Sequence, residues 1–155
     1  MSITLLAFLL LQSAFHFQPE QAVYIVALDA TRADLGQAKL NLEVERRAGD
    51  EFKSQKKFKL SKTINDADFV FFVLVDTESS RTDELALAVT PKDYLDYRTD
   101  LLELKNHALW SQSGKEGAKN FGKSILSAYT LGAVTSSVVR DIVKDFHADV
   151  LPKKK

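Results

Sequence analysis

Cysteine is absent from the 155-residue chain. That removes disulfides, thiolate metal ligands, a cysteine nucleophile and a lipid-modified cysteine at a processed N-terminus. It leaves export open, because many exported domains of this size build a sufficient core without cross-links. Histidine is nearly as scarce. Past the N-terminal region only His107 and His147 remain, each alone in the sequence. Asp145 and Asp149 flank His147, but no second histidine or glutamate stands at ligand spacing, so the expectation is no metal and no cofactor. No GxSxG nucleophile elbow occurs, and Ser79-Ser80 has no identifiable base nearby. An excess of charge is also missing. Lys plus Arg and Asp plus Glu both number 21, and without a clustered basic face no nucleic-acid partner is expected. The short basic cluster Lys53, Lys56, Lys57 and Lys59 alternates with Phe52 and Phe58, as on a solvated edge whose apolar side is buried. Lys153 to Lys155 follow Pro152 as a disordered basic tail.

Long hydrophobic runs are lacking too, with one suggestive exception. Ile3 to Leu11 is almost unbroken apolar sequence of about nine residues, which suits the core of a secretory signal peptide. A membrane span needs about 20, so no integral span is expected once a leader is removed. No Lys or Arg precedes the run. Cleavage can follow Ala14 or Ala22, and the residues two places earlier, Gln12 and Glu20, are larger than those preferred there. The competing reading is a buried N-terminal strand or helix, since Phe15 and Phe17 continue the apolarity. The expectation is a signal peptide over 1–22, a single α/β domain over 23–151 and the tail 152–155, in a chain working outside the cytoplasm, periplasmic or secreted.

The remaining pattern is that of a mixed domain. Ala22 to Leu28 is apolar and rich in β-branched and aromatic residues, a buried first strand. From Asp34 to about Lys53 the good helix formers Gln37, Lys39, Glu43, Glu45, Arg46 and Arg47 favour a helix, against an alternative strand register at Ala38, Leu40, Leu42 and Val44. Lys57 to Lys62 alternates as an edge strand. Phe69 to Val75 is uniformly apolar and bounded by Asp68 and Asp76: too short for a helix, it predicts a central strand buried on both faces. Its neighbour is Leu85 to Val89. Thr90-Pro91-Lys92-Asp93 is a helix start, with a hydroxyl cap, proline at the first position and a carboxylate in the first turn. A second short helix follows from Asp100. Trp110 is placed on a final strand or over the sheet end, where a cleft for a small molecule is a further possibility, and Gly114 to Gly122 is a loop. Tyr94 and Tyr97 share a helix face and read as edge packing. Val134, Val138, Ile142 and Phe146, widened by Val139 and Val143, form the apolar stripe of a C-terminal helix, with Arg140, Asp141, Lys144, Asp145 and His147 facing away.

One pattern resembles catalytic machinery. Gly117-Ala118-Lys119-Asn120-Phe121-Gly122-Lys123-Ser124 matches GxxxxGKS, in which glycine amides cradle phosphates, the lysine reaches the terminal phosphates and the hydroxyl meets magnesium. Gly117, Gly122, Lys123 and Ser124 would fill those roles in a phosphate- or nucleotide-binding enzyme. The context is poor: almost everything after Ser124 is helical, and an acid-bearing strand exists only upstream, ending at Asp76.

Ala67-Asp68 entering the apolar strand, Leu87-Ala88-Val89-Thr90-Pro91, Ala108-Leu109-Trp110 and Val143-Lys144-Asp145-Phe146-His147 together resemble small exported bacterial α/β proteins of unassigned function. These envelope domains pack two helices on a short mixed sheet. The expected fold is a two-layer α+β sandwich, a four- or five-stranded mixed sheet with two main helices on one face. The expected function is a non-enzymatic extracytoplasmic or secreted module that binds a protein partner or associates with itself, with the phosphate loop as the alternative.

Overall fold

A computed structural model of the chain describes residues 15–29, 38–75, 85–113, 131–151 and 153. Its elements follow in the order β1 (Ala22–Asp29), β2 (Lys39–Leu40), α1 (Leu42–Gln55), β3 (Lys59–Leu60), β4 (Phe69–Val75), β5 (Leu85–Val89), α2 (Pro91–Tyr97), α3 (Leu101–Asn106), β6 (Trp110–Ser113) and α4 (Leu131–Val150). The sheet runs β2-β1-β4-β5-β6, and β3 joins β1 on the same edge as β2. β1 and β4 are parallel, whereas β5 and β6 return antiparallel. The expected two-layer α+β arrangement is present, with α1 and α4 packed on each other and on one face. The short helices α2 and α3 shelter the opposite face through Tyr94, Tyr97, Leu101 and Leu104.

Helices on both faces explain why β4 is a continuous apolar run rather than an alternating one: all seven of its residues are buried. β1 divides its side chains in the two-residue rhythm of a strand, Val23, Ile25 and Ala27 toward α1 and α4, Tyr24, Val26 and Leu28 toward the other cluster. The short helices begin where their caps predict. Thr90 accepts from the Asp93 amide at 3.1 Å and Asp100 from the Glu103 amide at 3.2 Å.

The helix expected from Asp34 starts later. Lys39 and Leu40 instead pair with Asp29 and Leu28, and Asn41 caps α1 by accepting from the Val44 amide at 3.1 Å. Helix-forming residues lose here to two local effects: β1 offers an open hydrogen-bonding edge, and asparagine is a strong N-cap. α1 ends at Lys56, which takes the left-handed conformation with φ 55°.

The position of His147 also corrects the expectation. It does not face away: it is 6% exposed, set among Phe52, Phe58 and Phe146. It follows Val143 by one helical turn, and that spacing carries its ring to the buried side despite its polarity.

Phe15 and Phe17 lie on the main core, with Phe17 edge-on to Phe69 at 5.1 Å and to Phe146 at 5.4 Å. The apolar run 3–11, Ser79-Ser80 and the loop 114–122 lie outside the described residues, as does most of the tail 152–155.

Candidate functional site

The groups that the sequence offers as chemistry are largely engaged in packing. Trp110 stacks on Phe71, meets Phe146 edge-on, and donates its indole N–H to the Asp149 carboxylate at 2.9 Å. Its ring is therefore used in holding β6 to α4. Gln112, two residues on and on the same side of β6, donates to Asp145 at 3.1 Å. The two carboxylates that flank His147 in sequence thus face the sheet edge, while the imidazole faces the core. Tyr97 stacks on His107 with ring centres 4.2 Å apart, and the His107 Nδ1 lies 2.8 Å from the Glu103 carbonyl. Tyr94 is half-buried near Phe72, and burial raises its pKa above the usual phenol value. Among the described residues, no group of three or more His, Asp or Glu is placed to hold a metal ion. No described helix is long and apolar enough to cross a membrane.

His147 is a buried polar group with one partner. Its Nδ1 lies 2.7 Å from the Val143 carbonyl, so Nδ1 carries the proton and donates. Nε2 is left bare with no partner. Burial lowers the imidazole pKa, with Lys57 acting in the same direction, while the Val143 bond and Glu51 oppose it. Protonation would place an N–H without an acceptor among phenylalanine rings.

The sheet edges offer more. Val23 and Ala27 turn their carbonyls outward to the amides of Ser61 and Asn41. By the two-residue period of a strand, Ile25 turns its N–H and C=O to the same side. Neither β2, pairing at Leu28 and Asp29, nor β3, pairing at Ala22 and Val23, reaches it. The interval between those two short strands opens into a groove of about 590 Å³ lined by Ile25, Leu42, Gly49, Lys53, Leu60 and Lys62 among others. Leu42 and Leu60 on its wall are 67% and 37% exposed. Arg46 on its wall is held by Glu43 and Asp50 at 2.9 and 3.2 Å, and it lowers the Glu43 carboxyl pKa together with Arg47. Lys53 and Lys62 form no ion pair among the described residues. At the opposite edge β6 has no further strand beside it among the described residues. There Ser111, Gln112 and Ser113 share an open polar hollow with Asp145 and Asp149.

Gly117, Gly122, Lys123 and Ser124, the phosphate-loop residues, lie outside the described residues. Lys53, Lys56, Lys57 and Lys59 are placed as expected, exposed beside the buried rings of Phe52 and Phe58. The groove itself has no sequence motif. It follows from β2 and β3 covering different ends of β1, and only the apolar Leu42 and Leu60 amid charged neighbours hint at it.

No family model matches the chain, and no curated protein matches it. Among solved structures it is similar to a PelC dodecamer from Paraburkholderia phytofirmans, at 9% identity over 83% of this chain and 89% of that one, with a TM-score of 0.44. A likeness of that size carries no argument about activity or assembly.

Proposed function

We propose that this protein is a non-enzymatic extracytoplasmic or secreted module that assembles with further copies of itself through its sheet edges. The observation that carries the reading is the groove at β1, where the exposed Leu42 and Leu60 line a gap beside main-chain groups of Ile25 that no described strand pairs. An unpaired strand edge invites pairing. The occupant we assign is the β6 edge of a second copy. That edge presents Ser111, Gln112 and Ser113 beside the carboxylates Asp145 and Asp149, which complement Lys53 and Lys62 at the groove. Opposite edges of one sheet meeting in this way form a heterologous contact, which closes into a ring or extends as a filament. The extracytoplasmic assignment rests on the apolar run Ile3 to Leu11 and on the resemblance to exported envelope domains. The non-enzymatic assignment is supported by the structural work to which His107, His147 and Trp110 are put.

Sedimentation velocity of the chain over a wide concentration range tests the assembly. Association that rises with concentration and disappears in Leu42→Glu/Leu60→Glu, with the circular dichroism spectrum retained, is the expected result. A wild-type chain that stays monomeric throughout refutes it. Lys123→Ala is the control: assembly should not change, and saturable nucleotide binding abolished by that substitution would replace this reading with the phosphate-loop one.

A further inference from the structure

The two candidate processing bonds are equivalent as sequences: each follows an alanine, and each has a large residue, Gln12 or Glu20, two places earlier. The fold distinguishes them. Between them lies Phe15 to Ala22, which is part of the packed domain. The Phe17 ring meets Phe69 and Phe146, and Phe15 meets Phe17 at 4.9 Å and Phe69 at 6.4 Å. Phe69 and Phe146 are both fully buried. The Glu20 amide donates to the Lys57 carbonyl at 2.7 Å, and the Gln21 carbonyl accepts from the Lys59 amide at 2.9 Å, continuing the β1–β3 pairing. Ala22 opens β1, and its amide donates to the Asp68 carboxylate at 2.7 Å.

We infer that the exported chain is cut between Ala14 and Phe15, so that the mature protein begins at Phe15 and folds with Phe15–Gln21 as part of its core. The inference rests on the export reading proposed above. Cleavage by the export machinery precedes folding, so the bond that is cut must leave a chain able to form this core. Hydrolysis after Ala22 would remove both rings from the Phe69–Phe146 cluster and the residues that carry β1 past Val23. It would also leave the new charged α-amine on Val23 itself, which is fully buried. Hydrolysis after Ala14, with water supplying the new carboxylate oxygen on Ala14 and a hydrogen to the Phe15 amine, leaves every one of these contacts in place.

The test is to express the full chain with its own N-terminus in an export-competent bacterial host, fractionate the cells, and determine intact mass and N-terminal sequence in each fraction. The expected product is extracytoplasmic and begins at Phe15. An extracytoplasmic product beginning at Val23, or at any residue within 16–22, overturns this inference and leaves export standing. A full-length product confined to the cytoplasm overturns the export reading and this inference with it. As a second measurement, Ala14→Trp should accumulate uncut precursor, whereas Ala22→Val should still yield Phe15 as the first residue. Precursor accumulating only with the substitution at Ala22 would place the cut there instead.

Discussion

Phe146 holds the main core together, and truncating it tests that core most directly. The side chain is fully buried. Its ring centre lies 5.1 Å from Phe71 and Trp110, 5.4 Å from Phe17, 5.7 Å from Phe58 and Phe69, and 5.9 Å from Phe52. Those partners come from β4, β6, α1 and the segments before β1 and before β3, so Phe146 ties α4 to most of the domain. Phe-to-Ala truncation in a core costs about 3–5 kcal/mol, with the higher values where the surroundings cannot collapse into the space. Here the neighbours sit on separate segments anchored by the sheet, and the upper half of that range is expected for Phe146→Ala. A domain is stable by about 5–15 kcal/mol in all. The loss would thus be a large fraction of the total and, for a slope near 2 kcal/mol/M, would move the urea midpoint down by about 2 M. Far-ultraviolet circular dichroism is the proper probe, because Trp110 touches the substituted ring and its fluorescence will change whether or not stability does. Phe146→Leu, which keeps much of the volume, should lose less than half as much. A loss below about 1 kcal/mol for Phe146→Ala, read by circular dichroism, would refute the packing of α4 against this cluster.

Four other outcomes follow from particular contacts. Gly49→Ala should stabilise the protein by about 1 kcal/mol in urea denaturation, because helical glycine is costly and the added Cβ would meet Leu60 and Ile25 methyls at 3.6 and 3.9 Å, ordinary contact distances; destabilisation would show the site to be overpacked. Lys56→Gly should gain about 0.5–1 kcal/mol by relieving the left-handed backbone at φ 55°, and a thermal midpoint unchanged or lowered would contradict that geometry. The pKa of His147 is lower in the fold than in the unfolded chain, so the unfolded state takes up its proton first. Stability is therefore complete above about pH 6.5, falls as pH drops through that value, and levels off below the folded-state pKa; His147→Leu should flatten this part of a pH series of urea midpoints. Lys62→Glu should weaken self-association in sedimentation velocity, and adding Asp145→Lys should restore part of it; the absence of any rescue would remove charge pairing from the proposed contact.

The parts legible in the sequence are those in which one local signal acts alone. Seven apolar residues between Asp68 and Asp76 have no helical or half-exposed alternative, so β4 was readable, and Thr90-Pro91 and Asp100 mark their helices because capping depends on neighbours along the chain. The start of α1 was not readable in the same way. Its competing state, β2, is stabilised by the edge of β1, a partner distant in sequence that helix propensity does not register. His147 was misplaced for a different reason. Its spacing from Val139 and Val143 put it on the buried stripe, and its polarity argued for solvent; the spacing prevailed because one hydrogen bond to the Val143 carbonyl satisfies the neutral ring's only donor. Phe15 and Phe17 pose the same conflict at the N-terminus, where an apolar stretch serves equally as the end of a leader or as core. Packing against Phe69 and Phe146 gives those two rings a place in the core of the folded domain. The candidate groove was the least legible feature, because it is the space left where two short strands cover opposite ends of β1. No residue type encodes such a gap; only the solvent exposure of Leu42 and Leu60 along it points to its place.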